Sequence, residues 1–175
     1  VQELGLAEDT LIVFTSDNGP ANGPGQTDGF RDRKESLYEG GIRVPAVFEW
    51  EGQIDAGTST DVAATTSAFL PTLNDLWGVK LPDDRALDGE SIKPVLQGDA
   101  FQRSDTLKFR FERRGDQAIM NDQYKLISTN NGSTYELYDL INDPTETMNI
   151  AGNSNMQTVV NSLRAELETW LGEVD

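Results

Sequence analysis

The patterning of the chain changes near residue 100, and that change limits the folds open to it. Thr106 to Phe111, Gln117 to Met120, Tyr124 to Ser128 and Thr134 to Leu140 read as short strands. Arg114-Gly115-Asp116, Asn121-Asp122 and Asn130-Asn131-Gly132 separate them as turn signals. Strands joined by connections this short pair as hairpins, so an antiparallel meander of four strands is expected. Beyond it, Met156, Val159, Val160, Leu163, Leu167, Trp170 and Leu171 share one face of a helical segment. That helix should pack across the meander, with Asn153, Ser154 or Asn155 as its cap.

Before residue 100 the pattern is different. Leu11-Ile12-Val13-Phe14 is a short apolar run of the kind a buried parallel strand uses. Residues 19–36 are rich in Gly, Asp and Asn and read as a long loop, a length that is often functional. Val44 to Trp50 resumes a strand-like run. Val62 to Trp77 has helical spacing, with Gly78 as its stop and Pro71 pushing its start downstream. Residues 79–100 are loop-rich. Gln2-Glu3-Leu4 reads as the last turn of a helix capped by Gly5. The expected class is thus α/β, or α+β over this stretch. Residues 1–100 would be part of an α/β domain, and 101–175 an antiparallel-sheet subdomain with a packed helix.

The chemistry concentrates after the first apolar run. Thr15-Ser16-Asp17-Asn18-Gly19-Pro20 stands at the end of a strand, where open α/β sheets place ligands. Asp17 offers a carboxylate and Asn18 an amide oxygen, donors suited to a hard cation such as calcium. The plainer reading is an Asn-Gly turn. The second cluster runs from Arg31 to Pro45, Arg-Asp-Arg-Lys-Glu-Ser-Leu-Tyr-Glu-Gly-Gly-Ile-Arg-Val-Pro.

Together these segments resemble the sulfatase family, the type I arylsulfatases of the alkaline-phosphatase superfamily. The Tyr-Glu-Gly-Gly-x-Arg-x-Pro signature of that family stands at Tyr38 to Pro45. Asp88 to Gly98 is similar to the segment closing the family's large domain. Glu136-Leu137-Tyr138-Asp139-Leu140 with Asp143-Pro144, Glu146 and Asn149-Ile150-Ala151 is similar to its C-terminal subdomain. The resemblance implies an alkaline-phosphatase-like fold and a sulfuric ester hydrolase. It implies that Asp17 and Asn18 bind calcium, and that Lys34 binds the substrate sulfate and acts in catalysis. Glu39 reads as structural, shaping the loop with Gly40, Gly41 and Arg43, and Asp143 and Glu146 carry no assigned chemistry. The family usually has small or basic residues at the positions of Asp32, Arg33 and Glu35, so the acidic pair here alters the expected pocket edge, and Ala68 stands where many members carry Asp.

The family's nucleophile is a formylglycine made from Cys or Ser in a Cys/Ser-x-Pro/Ala-x-Arg motif. The chain has no Cys, no Ser in that pattern and no His. It is therefore expected to be the C-terminal portion of a longer enzyme, inactive alone, with an incomplete calcium site. With partner strands missing, self-association is expected. The net charge of −16 makes nucleic acid and anionic membranes poor partners. The family implies a sulfate-ester substrate and a periplasmic or secreted location. Two other readings stay open: a phosphoester or phosphonate hydrolase of the same superfamily, and a non-catalytic interaction module.

Overall fold

The computed structural model describes residues 1–80 and 87–174. It divides into two compact units that are interleaved in sequence. One holds Val1–Asp17 and Pro45–Ser104, the other Asn18–Val44 and Asp105–Asp175. Residues 18–44 thus cluster with residues 105–175.

In the first unit, β1 (Ile12–Thr15) and β2 (Ala46–Glu49) form a two-stranded sheet. They pair antiparallel, with Ile12 opposite Glu49 and Thr15 opposite Ala46. The parallel pairing expected for β1 is not found among the described residues. An apolar run specifies a strand that suits cover on its faces, but the connection sets the direction of its neighbour. Here residues 16–45, which include one short helix (Glu39–Ile42), bring the chain back to pair antiparallel with β1. Nor is the run buried: Phe14 is 70% exposed, and Ile12, Val13 and Val47 are also exposed.

The helix expected over Val62–Trp77 is shorter. A 3-10 turn, Thr66–Ala68, leads into α2 (Phe69–Trp77). Pro71 is the third residue of α2, within the first turn, where an N–H would lack an intrahelical partner anyway. Gly78 ends the helix in the left-handed conformation at φ 63°, donating to the Asn74 carbonyl. The buried Thr72 hydroxyl donates to Ala68 O at 2.6 Å and accepts from Ile92 N–H at 2.9 Å. That joins α2 to the approach to α3 (Lys93–Leu96). Phe48 meets Phe69 edge-on at 5.9 Å, and Trp50 lies 6.0 Å from Trp77. Gly5 caps a three-residue 3-10 turn, Gln2–Leu4, rather than an α-helical turn. Within 79–100, residues 81–86 lie outside the described residues.

The second unit is built on the expected meander. Strands β3 (Leu107–Phe111), β4 (Asp116–Met120), β5 (Tyr124–Thr129) and β6 (Thr134–Asp139) lie in the order β3-β4-β5-β6, all antiparallel. Successive residues of a strand face opposite sides, and both sides of this sheet are covered. Ile119, Leu126 and Leu137 pack against Val160, Leu163 and Leu167 of the C-terminal helix (Gln157–Val174). Their neighbours Ala118, Ile127 and Tyr138 pack on the other side against Leu37, Tyr38 and Ile42. Asn153 caps the helical entry by accepting from Asn155 N–H at 3.0 Å. At the β3 edge, Lys108 Nζ lies 3.1 Å from Glu166 Oε1 of the helix.

Candidate functional site

The covered face of the meander carries the segment from Arg31 to Arg43. Its centre is a short helix, α1 (Glu39–Ile42), where the sequence suggests only a tight backbone path. Three glycines let separate stretches of backbone meet around it. Gly19 N–H donates to Gly41 O at 2.8 Å, and Gly40 N–H donates to Arg31 O at 2.8 Å. A Cβ on Gly19 would overlap the Gly40 carbonyl, one on Gly40 the Asp32 and Arg31 carbonyls, and one on Gly41 the Ser36 and Arg33 carbonyls. Lys34 N–H closes the arrangement by donating to Pro20 O at 3.1 Å. Asn18-Gly19-Pro20 and Lys34 are therefore brought together through backbone hydrogen bonds.

The loop between them is wound around one side chain. Arg33 donates to Ala21 O at 3.0 Å and to Gly25 O at 2.8 Å. Asp32 and Glu35, on either side of Arg33 and Lys34, have φ of 64° and 69°. Non-glycine residues adopt this conformation at a cost of about 1–3 kcal/mol each, sustained only when the surroundings dictate it. The Lys34 side chain is exposed and makes no hydrogen bond or ion pair among the described residues.

Beneath this surface lies a set of buried charges. Lys125, in the middle of β5, is 0% exposed. Its Nζ lies 2.8 Å from Glu39 Oε1 and 2.7 Å from Glu146 Oε1. Glu146 Oε2 accepts from Glu39 N–H, at the start of α1, at 2.6 Å. Arg43 Nη1 approaches Glu39 Oε2 at 3.5 Å. Burial pushes the Glu146 carboxyl above the usual range, while the Lys125 charge and the Glu39 N–H pull it back. Beside this group, Arg31 stacks over the Tyr38 ring at 3.8 Å and donates to the Tyr138 hydroxyl at 2.7 Å and to Glu146 O at 3.0 Å. Both tyrosine hydroxyls donate to Glu136 Oε2 at 2.6 Å. Burial and that bond push Tyr138 up to about 12 and raise Tyr38 as well, so both phenols stay protonated at neutral pH.

Asp17 ends the first stretch of the first unit, two residues past the end of β1, and is exposed. Its carboxylate has no hydrogen bond or ion pair among the described residues. Thr15, the last residue of β1, donates from its hydroxyl to Pro45 O at 3.0 Å. Asn18, the first residue of the second unit, is half-buried. Among the described residues no three His, Cys, Asp or Glu side chains are grouped to hold a metal ion. Lys125 and Glu146 carry no role in the sequence reading. A lysine inside Tyr-Lys-Leu-Ile-Ser is the signal that could have found them, since a charge in a buried strand needs a buried counter-ion.

An α/β portion joined to a four-stranded antiparallel sheet with a C-terminal helix defines the C-terminal part of an alkaline-phosphatase-like fold. The chain belongs to the sulfatase family. Residues 27–172 match the family model described as N-sulphoglucosamine sulphohydrolase, C-terminal. A sulfatase of Formosa agariphila is 36% identical over 95% of the chain and 34% of its own length. The crystal structure of Ps i-CgsB in complex with k-i-k-neocarrahexaose superposes with a TM-score of 0.82 and 26% identity, over 97% of this chain and 38% of that one. The phosphonate monoester hydrolase of Agrobacterium radiobacter superposes with a TM-score of 0.70 and 25% identity, over 98% and 37%. The chain thus spans about a third of the length of these relatives. No helix among the described residues is long and apolar enough to cross a membrane.

Proposed function

We propose that the whole protein carrying this chain is a calcium-dependent sulfatase that hydrolyses a sulfate ester, and that this chain supplies one edge of its site. The observation behind the reading is the Lys34 loop: an exposed lysine side chain, without a partner among the described residues, on backbone that hydrogen-bonds beside Asn18-Gly19-Pro20, in a chain of the sulfatase family. A lysine ammonium is a compact point charge that donates to a sulfate oxygen. Fixed in place, it stabilises the negative charge that builds on the sulfuryl group without having to reorganise. Asp17 and Asn18 have the hard oxygens calcium takes, though calcium binds about 6–8 oxygens and these two residues would hold only part of its shell. When bound, calcium would supply positive charge beside the sulfate, and the family's formylglycine, which this chain does not encode, would supply the nucleophile. Export to the periplasm or outside the cell goes with this reading.

The Agrobacterium radiobacter neighbour favours a second reading, hydrolysis of a phosphonate or phosphate ester. The test is one assay with two substrates, 4-nitrophenyl sulfate and 4-nitrophenyl phenylphosphonate, given to the whole protein with calcium and then with EGTA. Faster turnover of the sulfate, lost in EGTA, is the expected result. Faster turnover of the phosphonate, or no turnover of the sulfate, would overturn the first reading.

A further inference from the structure

From the buried charges under α1, we infer that Lys125 and Glu146 are positioning residues: they set where the Asn18 and Lys34 loops lie without touching a ligand. The inference rests on the reading of Lys34 as the sulfate contact. The chain of contacts is short and continuous. Lys125 projects from β5 on the same side as Ile127, toward α1. It binds Glu39 at 2.8 Å and Glu146 at 2.7 Å, and Glu146 holds Glu39 N–H at 2.6 Å. The first residue of α1 is thus held at both its backbone and its side chain. The next two residues, Gly40 and Gly41, receive the loops through the Gly40–Arg31 and Gly41–Gly19 bonds, and Lys34 then binds Pro20. Three hydrogen-bonded steps separate a buried lysine from the exposed one.

The charges fit this task better than a purely stabilising one. Two cations, Lys125 and Arg43, face two carboxylates, Glu39 and Glu146. Buried ion pairs contribute little net stability compared with apolar packing of the same shape, but they are directional and restrict the geometries that satisfy them. The rest of this sheet face is filled by Leu37, Ala118, Ile127 and Tyr138. An apolar residue at 125 would have served stability; an ammonium fixes the register of α1. Glu146 is itself held in place, with φ of 56° and its N–H bonded to Asp143 O at 3.1 Å.

The test uses the whole protein with two variants, Lys125→Met and the charge-balanced Lys125→Met/Glu146→Gln, which leaves Glu39 with Arg43. Amide hydrogen exchange read by mass spectrometry reports local opening. At least tenfold faster exchange is expected at residues 18–19 and 33–36 in both variants, with Asp116–Met120 and Thr134–Asp139 within twofold of the parent. In the same variants kcat/KM for 4-nitrophenyl sulfate should fall at least tenfold. Unchanged loop exchange overturns the inference. Equal acceleration in loops and sheet, or failure of both variants to fold, overturns it too, since the charges would then serve the whole unit. Faster loop exchange without any loss of turnover removes the catalytic part of the inference. An unmodified protein that hydrolyses no sulfate would defeat the functional reading instead, and the exchange result would still decide whether these residues position the loops.

Discussion

Lys34 and Asp143 show two ways in which one polar side chain can matter. Lys34 is exposed and unpaired among the described residues, so its removal should leave the fold intact. In the whole protein, Lys34→Ala should lower kcat/KM for a sulfate ester about 100-fold or more, the scale of losing a preorganised charge-stabilising donor. Lys34→Arg should recover only part of that loss, because a planar fork does not replace a point charge. Near-parent kinetics for Lys34→Ala would remove its assigned role. Asp143 acts on the fold instead. Burial alone would raise its carboxyl, but donors from Met148 N–H, Thr147 N–H and the hydroxyls of Thr147 and Thr145 outweigh that and hold it below its ordinary 3.8. A lowered carboxyl stabilises the fold above its unfolded value, and that contribution fades as pH falls through the folded value. Asp143→Asn should therefore melt at a lower temperature than the parent at pH 7. The gap should narrow below about pH 4. A gap that stays constant from pH 7 to pH 3 in thermal melts would contradict this.

The elements divide by how much of their formation is local. The C-terminal helix and the meander follow from periodicity and turn residues, and their joint core follows from strand alternation. Leu163 is 4% exposed and packs on Ile119, Leu126 and Leu137. Leu163→Ala should cost about 2–5 kcal/mol by urea unfolding, the usual loss for a buried leucine. The short helix α1 is different. With two glycines in four residues it has poor intrinsic helix propensity. It exists because those glycines admit the carbonyls of Arg31, Asp32, Arg33 and Ser36. Gly41→Ala, which raises helix propensity, should nevertheless speed amide exchange in residues 33–41, since the Cβ displaces the Ser36 carbonyl. Slower exchange there would mean that propensity outweighs the close approach.

At the scale of the molecule, the exposed apolar sheet of the first unit and the missing nucleophile point the same way. Ile12, Val13, Phe14 and Val47 are exposed on a sheet of two strands, each with an open edge among the described residues. Such edges and patches promote association. This chain expressed by itself should sediment as a concentration-dependent mixture. It should bind calcium no tighter than micromolar in titration calorimetry and release no sulfate from 4-nitrophenyl sulfate. A clean monomer at all concentrations, or sulfate release above buffer background, would show that the chain is more self-sufficient than its surface and composition suggest.

Much of this architecture depends only on neighbours in sequence. Alternation along β4 to β6, the stripe from Val160 to Leu167 and the glycine stops at Gly5 and Gly78 are short-range patterns. So are Asp17-Asn18 and Tyr38 to Pro45, whose order along the chain carried the family resemblance. Long-range pairing was decided only by the folded structure. The apolar run of β1 carried no information about the direction of its partner, which came from the path of residues 16–45. Residues 18–44 joined the C-terminal unit because Leu37, Tyr38 and Ile42 fill the free face of its sheet. Lys125 found Glu39 and Glu146 across gaps of 86 residues and of the whole β6 hairpin, and no local pattern records such a pairing. A buried charge announces in sequence that it needs a partner; which partner it takes depends on which chain segments the fold brings within about 3 Å of it.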